Sequence, residues 1–259
     1  MMRRGRRELR IRSVVAGVVV ALVLGAAPWR SAQAASEPFS QAQVFFEYNS
    51  VEGNIGIQFF FDGEWTDVEI RDPKGRAIFE TDTRGQLRKV GGAEVCFESV
   101  EPSFDSTDPH PDFFKKFPAG PYTFRDKAVD GGKLNSTVEL SHQLPAAPVV
   151  TPSSNKVQRT WAPGQPPVDA APLAGFQVIF EIVVKENAVR SLTADLPDSA
   201  ASFVIPAEFL PTPAEVTEGT VIVFEVLALA ENGNGTITQR RHPVDPAAES
   251  SELAVRPCG

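Results

Sequence analysis

Histidine and cysteine supply few reactive side chains in this chain of 259 residues, which has three His and two Cys. His110 lies between Asp108 and Asp112, and an imidazole beside two carboxylates could bind a metal or form part of a catalytic triad. Pro109 and Pro111 hold this segment extended, which works against several ligands converging on one point. We therefore interpret the segment as a solvated loop.

Signatures of the common enzymatic reactions are missing from the sequence. The chain has no G-x-S-x-G nucleophile elbow, no H-E-x-x-H zinc pattern, no Walker loop and no EF-hand spacing. The sequence thus predicts a protein that is not an enzyme, with no catalytic, cofactor-binding or metal-binding residues and no cofactor. A glycosidase built on scattered carboxylates is a less favoured alternative.

The two cysteines, Cys96 and Cys258, are candidates for a disulfide. Cys96 has the same strand parity as Glu94 and Glu98, which predicts a side chain that points away from the core. An even pair of cysteines in an oxidising compartment is expected to form a bond, and closing so long a loop could add about 4–5 kcal/mol. Two free thiols or an intermolecular bond are the alternatives.

Residues 1–34 have the three parts of a secretory signal peptide. Residues 14–27 are uncharged and rich in Val, Ala and Leu, and Ala32-Gln33-Ala34 supplies a small-residue cleavage pattern. The preceding basic segment consists of Arg3, Arg4, Arg6, Arg7, Arg10 and Arg12. The sequence predicts cleavage after Ala34 and a mature protein that is exported, either periplasmic or secreted.

Other readings of the leader fit the sequence less well. A membrane-spanning helix needs roughly 20 apolar residues, whereas residues 14–27 supply 14, so we expect no membrane insertion of the mature chain. A twin-arginine export signal is matched only in part by residues 6–10. The choice between the general secretory and twin-arginine routes stays open.

The charge of the chain becomes more acidic once the leader is removed. The whole chain has 25 basic and 33 acidic side chains, and residues 1–34 hold seven Arg and one Glu, which leaves a net charge of −14. Such a charge argues against nucleic acid or anionic lipid as a partner. We expect the partner to be an extracytoplasmic protein or a glycan.

Residues 35–143 have the short alternating runs and turn signals of a β-sheet protein. In residues 65–71, Val68 and Ile70 fall on one face of a predicted strand and charged side chains on the other, as expected when one face meets water. Asp112 could cap a short helix that docks through Phe113, Phe114 and Phe117. The predicted strands are residues 43–48, 57–61, 65–71, 76–81, 87–90, 94–100, 122–125 and 134–140.

Residues 144–245 begin with seven prolines between positions 144 and 172. Proline lacks the N–H donor of a sheet ladder, so the start of this half is predicted to be an interdomain joint that leads into an edge strand. The later runs alternate, and we assign one face of each to the core: Phe176, Val178, Phe180 and Ile182 in the first, and Ile222, Phe224, Val226 and Ala228 in the second. The predicted strands are residues 147–153, 156–162, 175–183, 202–205 and 220–230.

Residues 145–243 resemble a fibronectin type III domain, most clearly over residues 203–236, and Trp161 falls where that family places its buried core Trp. The chain resembles bacterial secreted proteins that contain such a domain, whose upstream half carries blocks like Glu47-Tyr48-Asn49, Asp72-Pro73-Lys74-Gly75-Arg76, Glu98-Ser99-Val100-Glu101-Pro102 and Phe117-Pro118-Ala119-Gly120. The family's corner Tyr falls on Ile222, and no Arg-Gly-Asp tripeptide occurs.

This resemblance implies an all-β protein with two tandem immunoglobulin-like or fibronectin type III-like β-sandwich domains, and it implies no defined activity. We expect the domains at residues 35–143 and 144–245, followed by a tail at residues 246–259. The predicted function is an exported, non-enzymatic binding or structural module that presents residues 231–235 and 103–112 to its partner. A carbohydrate-binding module is the alternative, with Trp65, Phe104 and Tyr122 as candidate stacking rings, and a hydrolase is a third class without a motif.

Overall fold

The computed structural model describes residues 36–101, 110–151, 158–167, 169–184, 187–212 and 219–244, with the side chain of His110 left out. The predicted signal peptide, its cleavage site and the tail at residues 246–259 lie outside these ranges. The described residues from 36 onward belong to one compact unit.

Strands dominate both halves of the chain. The N-terminal lobe, residues 36–140, contains β1 (Gln41–Asn49), β2 (Asn54–Arg71), β3 (Ala77–Asp82), helix α1 (Leu87–Val90), β4 (Gly92–Glu98), helix α2 (His110–Lys116), β5 (Gly120–Ala128) and β6 (Lys133–Leu140). The C-terminal lobe, residues 141–244, contains β7 (Val149–Thr151), β8 (Gln158–Ala162), β9 (Leu173–Val184), β10 (Asn187–Pro197), β11 (Ser202–Val204), a 3₁₀ turn (Ala207–Phe209), β12 (Thr220–Ala230) and β13 (Gly235–Pro243).

Strand β2 organises the N-terminal lobe because its two halves have different neighbours. Residues 54–62 pair with β1 and β4, whereas residues 65–71 pair with β3 and β5, and the registers shift between Asp62 and Trp65. A Cβ on Gly63 would lie 3.0 Å from Leu134 Cδ1, so a larger residue at this bulge would crowd the wall of the core. The two strands predicted at 57–61 and 65–71 are therefore one bent strand.

Aromatic rings fill the core between the two halves of β2. Phe59 and Phe61 lie 6.5 and 6.1 Å from Phe124 of β5, measured between ring centroids. Phe61 meets Phe79 of β3 at 6.4 Å, so strands on both sides contribute to one core. The first half of β2 thus faces β3 and β5 across a packed interior.

Helix α2 docks on this core as the sequence predicted. Phe113 is only 3 % exposed and lies edge-on to Phe46 at 5.8 Å, and Phe114 lies 5.1 Å from the same ring. Asp112 is not the cap, since it lies inside the helix and accepts a hydrogen bond from Lys115 at 2.8 Å.

The strand predicted at residues 87–90 is wrong, because this segment is the short helix α1. Its apolar side chains do not enter the core, since Leu87 is 55 % and Val90 72 % exposed. Gly91, which ends the helix with φ +75°, takes a conformation that other residues rarely adopt.

The C-terminal lobe is a sandwich of three strands against four. Its sheets have the orders β11–β8–β7 and β10–β9–β12–β13, and Trp161 of β8 packs edge-on against Phe176 of β9 at 5.6 Å. The predicted core faces of β9 and β12 are confirmed, since all eight of their side chains are buried in one cluster with Trp161. The chain is all-β, with the immunoglobulin-like or fibronectin type III-like sandwich that the sequence predicted.

Two strands of this lobe have no counterpart among the predicted strands. β10 lies at the edge of its sheet and pairs only with β9, and its side chains alternate between exposed and half-buried. β13 carries polar residues toward the interior, where Thr236 and Thr238 are buried. β13 lacks the apolar alternation that marks a strand in sequence, whereas β10 has it in Leu192, Ala194 and Leu196, and the prediction missed that strand.

The two lobes share one sheet. β1 pairs with β13 in parallel, which joins the strands of both lobes into a ten-stranded sheet. Eight strands follow the order β10–β9–β12–β13–β1–β2–β5–β6, and β3 and β4 each pair with β2 beside this path. Each lobe keeps its own core cluster, the first reaching Leu144 and the second beginning at Val150. The predicted domain boundary between residues 143 and 144 stays a prediction.

We predict that Phe113→Ala lowers the free energy of unfolding by about 3 kcal/mol, because it removes a buried ring and leaves a cavity between α2 and the sheet. Lys116→Ala, on the exposed side of the same helix, is the control and should change stability by less than about 0.5 kcal/mol. Urea denaturation followed by tryptophan fluorescence measures both, and equal effects would contradict the docking of α2.

Candidate functional site

Three carboxylates meet on the outer face of the shared sheet, where the two lobes join. Strand register places Glu47 of β1 opposite Gly56 of β2, and Glu98 of β4 opposite Gln58 of β2. Directly opposed residues lie on the same face of an antiparallel pair. One carboxylate oxygen each of Glu47, Glu98 and Glu101 lies within 4.8 Å of the others, and we call these three residues the junction carboxylates.

Gly56 makes room for this cluster. A Cβ at that position would lie 3.1 Å from Cγ and 3.2 Å from Oε1 of Glu101, so Glu101 covers the glycine. The chain after β4 is held there by Ser99, whose N–H donates to Ile57 O and whose Oγ accepts from Ile57 N, both at 3.0 Å. A larger residue than glycine would displace Glu101 from the cluster.

Burial and mutual repulsion favour the protonated form of these groups. The pKa of Glu47 is raised to about 7, first by burial and then by the charges of Glu98, Glu101 and Glu225, against a hydrogen bond from Gln58 that lowers it. The pKa of Glu101 is raised in the same way, first by burial and then by Glu98, Glu52 and Glu225.

Glu225 of β12 extends the acidic group into the C-terminal lobe. Its Oε1 accepts a hydrogen bond from Gln239 Nε2 at 2.5 Å. Burial raises its pKa, Gln239 lowers it, and Glu181 and Glu52 raise it again, with Arg241 in opposition. The carboxylates of both lobes thus act on one another across the junction.

The chemistry open to this cluster is limited to holding a proton or attracting a cation. Carboxylate oxygens are ligands that hard divalent ions prefer, but exposed acidic groups are common without an ion. Two blocks that carry the family resemblance, residues 47–49 and 98–102, meet here. That coincidence is the one sign of the cluster in the sequence, since the carboxylates come from separate parts of the chain.

A second carboxyl group with a raised pKa lies inside the N-terminal lobe. Asp126 of β5 is buried, and its Oδ2 has no hydrogen-bond partner among the described residues. Its pKa is raised to about 7, mainly by burial and also by the nearby charge of Asp67, against backbone hydrogen bonds that lower it. No further polar groups converge on it to suggest a reaction.

Asn234 ties three segments together at the junction. Its side chain is fully buried, its Oδ1 accepts from Phe46 N at 2.8 Å, and its Nδ2 donates to the carbonyls of Ser141 and Gln143, both at 2.8 Å. Asn232 adds a bond from Nδ2 to Gln143 O at 2.9 Å. Asn232 and Asn234 thus hold this turn in the junction, while Glu231 and Gly233 are exposed, and the expectation that residues 231–235 present a binding surface stays a prediction.

The proline-rich joint between the lobes is held by side chains of β13. Thr236 Oγ1 donates to Pro145 O at 2.9 Å, and Thr238 Oγ1 donates to Pro148 O at 2.6 Å. The prolines have no backbone N–H to donate. Their buried carbonyls accept hydrogen bonds from the two threonine hydroxyl groups.

The structure separates the residues that the sequence singled out. Cys96 is exposed on β4, as its parity predicts, whereas Cys258 lies outside the described residues, so a bond between them stays a prediction. Asp108, the side chain of His110 and Phe104 also lie outside them. Trp65 is 6 % exposed and Tyr122 is fully buried, so neither ring is free to stack on a sugar.

His142 has a structural environment. Its ring stacks on Phe114, with centroids 4.1 Å apart and planes 8° apart, and its Nε2 is hydrogen-bonded to Phe117 O at 2.9 Å. His242 lies half-buried on β13. Among the side chains that the structure describes, the group that could hold a metal ion consists of the three junction carboxylates and contains no histidine.

No helix of the described residues combines the length and the apolar character that a membrane span requires.

Comparison with known proteins identifies no family for this chain. No family model and no curated protein sequence matches it. Among solved structures, the chicken CNTN1 FN1–FN3 domains are 10 % identical over 80 % of this chain and 64 % of that one, with a TM-score of 0.32.

Two structures from adhesion proteins are also similar. A 1.5-MDa bacterial ice-binding adhesin is 10 % identical over 80 % of this chain and 64 % of that one, with a TM-score of 0.26. A tetra-tandem repeat from the extending region of a large adhesion protein is 13 % identical over 79 % and 50 %, with a TM-score of 0.24. At such TM-scores these similarities carry no argument about this chain, which spans less than two thirds of each structure.

We predict that the protein loses stability as the pH rises from about 5 to 8. An acid whose pKa is higher in the folded than in the unfolded state binds its proton more tightly when folded, so folding stability falls between the two pKa values. Glu47→Gln should raise the free energy of unfolding at pH 8 by about 1–2 kcal/mol and leave pH 5 nearly unchanged. Denaturant unfolding at both pH values measures this.

Glu64→Gln, at an exposed position of β2, is the matched control and should keep the original pH dependence. Asp126 contributes with the same sign, so the slope in Glu47→Gln should be reduced rather than abolished. A Glu47→Gln protein with an unaltered slope would show that Glu47 ionises normally.

We predict that Asn234→Ala destabilises the protein by about 2–4 kcal/mol, because it removes the partner of the buried Phe46 N–H and of the Ser141 carbonyl, whereas Gln143 O keeps its bond from Asn232. Asn232→Ala removes an exposed bond to the same joint and should cost less than about 1 kcal/mol. Thermal unfolding compares the two, and limited proteolysis should show faster cleavage at residues 141–148 in Asn234→Ala only.

Proposed function

We propose that the chain is an exported, non-enzymatic module that mediates protein or surface interactions by acting as a rigid scaffold. The observation that carries this proposal is the junction, where β1 and β13 join two sandwich lobes into one sheet. Two domains that move independently are joined by a linker that makes few contacts with either domain. Here the joint is used to fix the lobes in one arrangement.

The hydrogen bonds of the joint support rigidity. The carbonyls of residues 141, 143, 145 and 148 accept hydrogen bonds from side chains of the β12–β13 hairpin. Apart from the exposed bond of Asn232, these bonds are buried or partly buried, so water competes with them poorly. A hinge motion would have to break several of them together.

The leader and the charge support export. Residues 1–34 have the pattern of a cleaved signal peptide, and the remaining chain carries a net charge of −14. We propose a periplasmic or secreted location with an extracytoplasmic protein or glycan as partner. The mature part comprises two sandwich domains at residues 35–143 and 144–245 and a tail at residues 246–259.

Two of the three rings proposed for sugar binding, Trp65 and Tyr122, are buried, and the third, Phe104, lies outside the described residues. Trp65 belongs to the N-terminal core, where it meets Phe61 edge-on at 5.8 Å, and the hydroxyl of Tyr122 donates to Pro118 O at 3.1 Å. Substituting either ring would damage the core before it tested sugar binding.

Fractionation of the exporting cell tests this proposal. We expect the chain outside the cytoplasm, with a new N-terminus at Ala35, and saturable binding of the purified mature protein to the envelope fraction. Asn234→Ala, which loosens the junction, should weaken that binding, whereas Asn232→Ala should not. An uncleaved cytoplasmic protein would overturn the proposal, and so would substrate turnover that Glu47→Gln abolishes.

A further inference from the structure

The first and last strands of the described chain run in parallel at the junction. Glu47 lies opposite Gly235, Tyr48 opposite Thr236, and Asn49 opposite Ile237. Residues 41–46 continue beyond one end of this short ladder, and residues 238–243 continue beyond the other. The chain therefore enters the ladder at one end and leaves it at the opposite end.

This geometry decides how a pulling force would act on the bonds. When two parallel strands are pulled in opposite directions along their axis, all the bonds between them are strained together, whereas a hairpin pulled at its open end loses its bonds one at a time. The slanted, evenly spaced bonds of a parallel pair thus resist sliding as a group.

We infer that the β1–β13 ladder is a tension clamp that carries force directly between the two ends of the described chain and shields the joint at residues 141–148. Tension that enters ahead of β1 reaches β13 across the ladder without passing along the joint. The lobes then stay side by side under load, and the distance between the chain ends stays short. This inference goes beyond the proposed function and does not depend on any partner.

Several bonds outside the ladder strengthen the same connection. Ser50 N and Ser50 Oγ both donate to Ile237 O, at 2.9 and 2.8 Å, and Ser50 Oγ lies 3.0 Å from Thr238 Oγ1. Phe46 N donates to Asn234 Oδ1 at 2.8 Å. These contacts extend the clamp by one residue at each side of the paired segment.

The N-terminal end is anchored in the same orientation. Glu37 forms a parallel bridge with Leu134 of β6, with Glu37 N donating to Lys133 O at 2.9 Å and Asn135 N donating to Glu37 O at 2.8 Å. Force applied ahead of residue 37 therefore reaches the N-terminal lobe as a whole. The lobe passes it on through the ladder, which is the direct strand-to-strand connection to β13.

The alternative is that the two lobes respond to force independently. If the ladder carried no force, each lobe would unfold independently as the chain was pulled, in two steps of roughly 330 Å for about 100 residues each. The clamp instead predicts a first event that separates the lobes, and the 185 residues between Asn49 and Gly235 extend by up to roughly 600–700 Å in all once the lobes have also unfolded.

Single-molecule pulling at constant force on the full chain, held by handle domains fused to its two ends, tests the clamp. Ser50→Ala removes the hydroxyl bonds to β13 and should make the first event about fivefold faster. Ser40→Ala is the matched control, since Ser40 Oγ donates to Asp62 O of β2 at 2.7 Å and not to β13, and it should leave that rate unchanged. Equal rates of the first event in all three proteins would overturn the inference.

A second pulling geometry separates the path of the force from general stability. A handle inserted in the exposed turn at Gly131, paired with the N-terminal handle, leaves the β1–β13 ladder out of the force path. Ser50→Ala should have no effect on the unfolding rate there. An equal acceleration in both geometries would mean that Ser50 stabilises the fold without carrying tension, and the clamp would be wrong.

Discussion

The parallel pairing of β1 with β13 is the constraint on which the rest of the structure depends. It brings residues from opposite ends of the described chain into register, so it forms only when both lobes are in place. Loop closure over such a distance costs conformational entropy, and three paired residues alone would compensate for little of it. The buried bonds of Asn234 and the hydroxyl bonds of Ser50, Thr236 and Thr238 make the pairing durable.

The same junction concentrates like charges, which opposes the pairing. Glu47 is on β1 itself, Glu98 and Glu101 come from β4 and the chain after it, and Glu225 comes from the other lobe. Bringing the strands together therefore brings carboxylates together in a partly buried place, where their repulsion is stronger than in water. Proton uptake by Glu47 relieves part of that repulsion, so the closed junction and the protonated cluster favour one another.

The alternation of apolar and polar side chains along the sequence predicted the buried faces of the strands in each lobe well. It predicted the pairing of strands between the lobes poorly. In residues 220–230 the sequence indicates which side chains are buried, because successive side chains of one strand point alternately into and out of the core. The strand β12 has the same bounds as the predicted strand. The sequence predicts two strands, at residues 57–61 and 65–71, where the structure has the single strand β2. The bulge near Gly63 and Glu64 interrupts the alternation of side chains in the same way as a turn does. The β1–β13 pair leaves no local trace, since Gly235 and Thr236 follow a turn signal that is equally compatible with an exposed hairpin.

The candidate cluster was hidden for a related reason. Glu47 reads in sequence as an ordinary polar residue on the outer face of a strand, and only the approach of β4 and β12 raises its pKa. A sandwich scaffold determines where such groups meet without determining what they do. In this chain Asn232 and Asn234, which a binding loop at residues 231–235 could have used, hold the joint, because the backbone carbonyls of the joint need hydrogen-bond partners where they are buried. The acidic surface beside it is therefore first a consequence of how the lobes are joined.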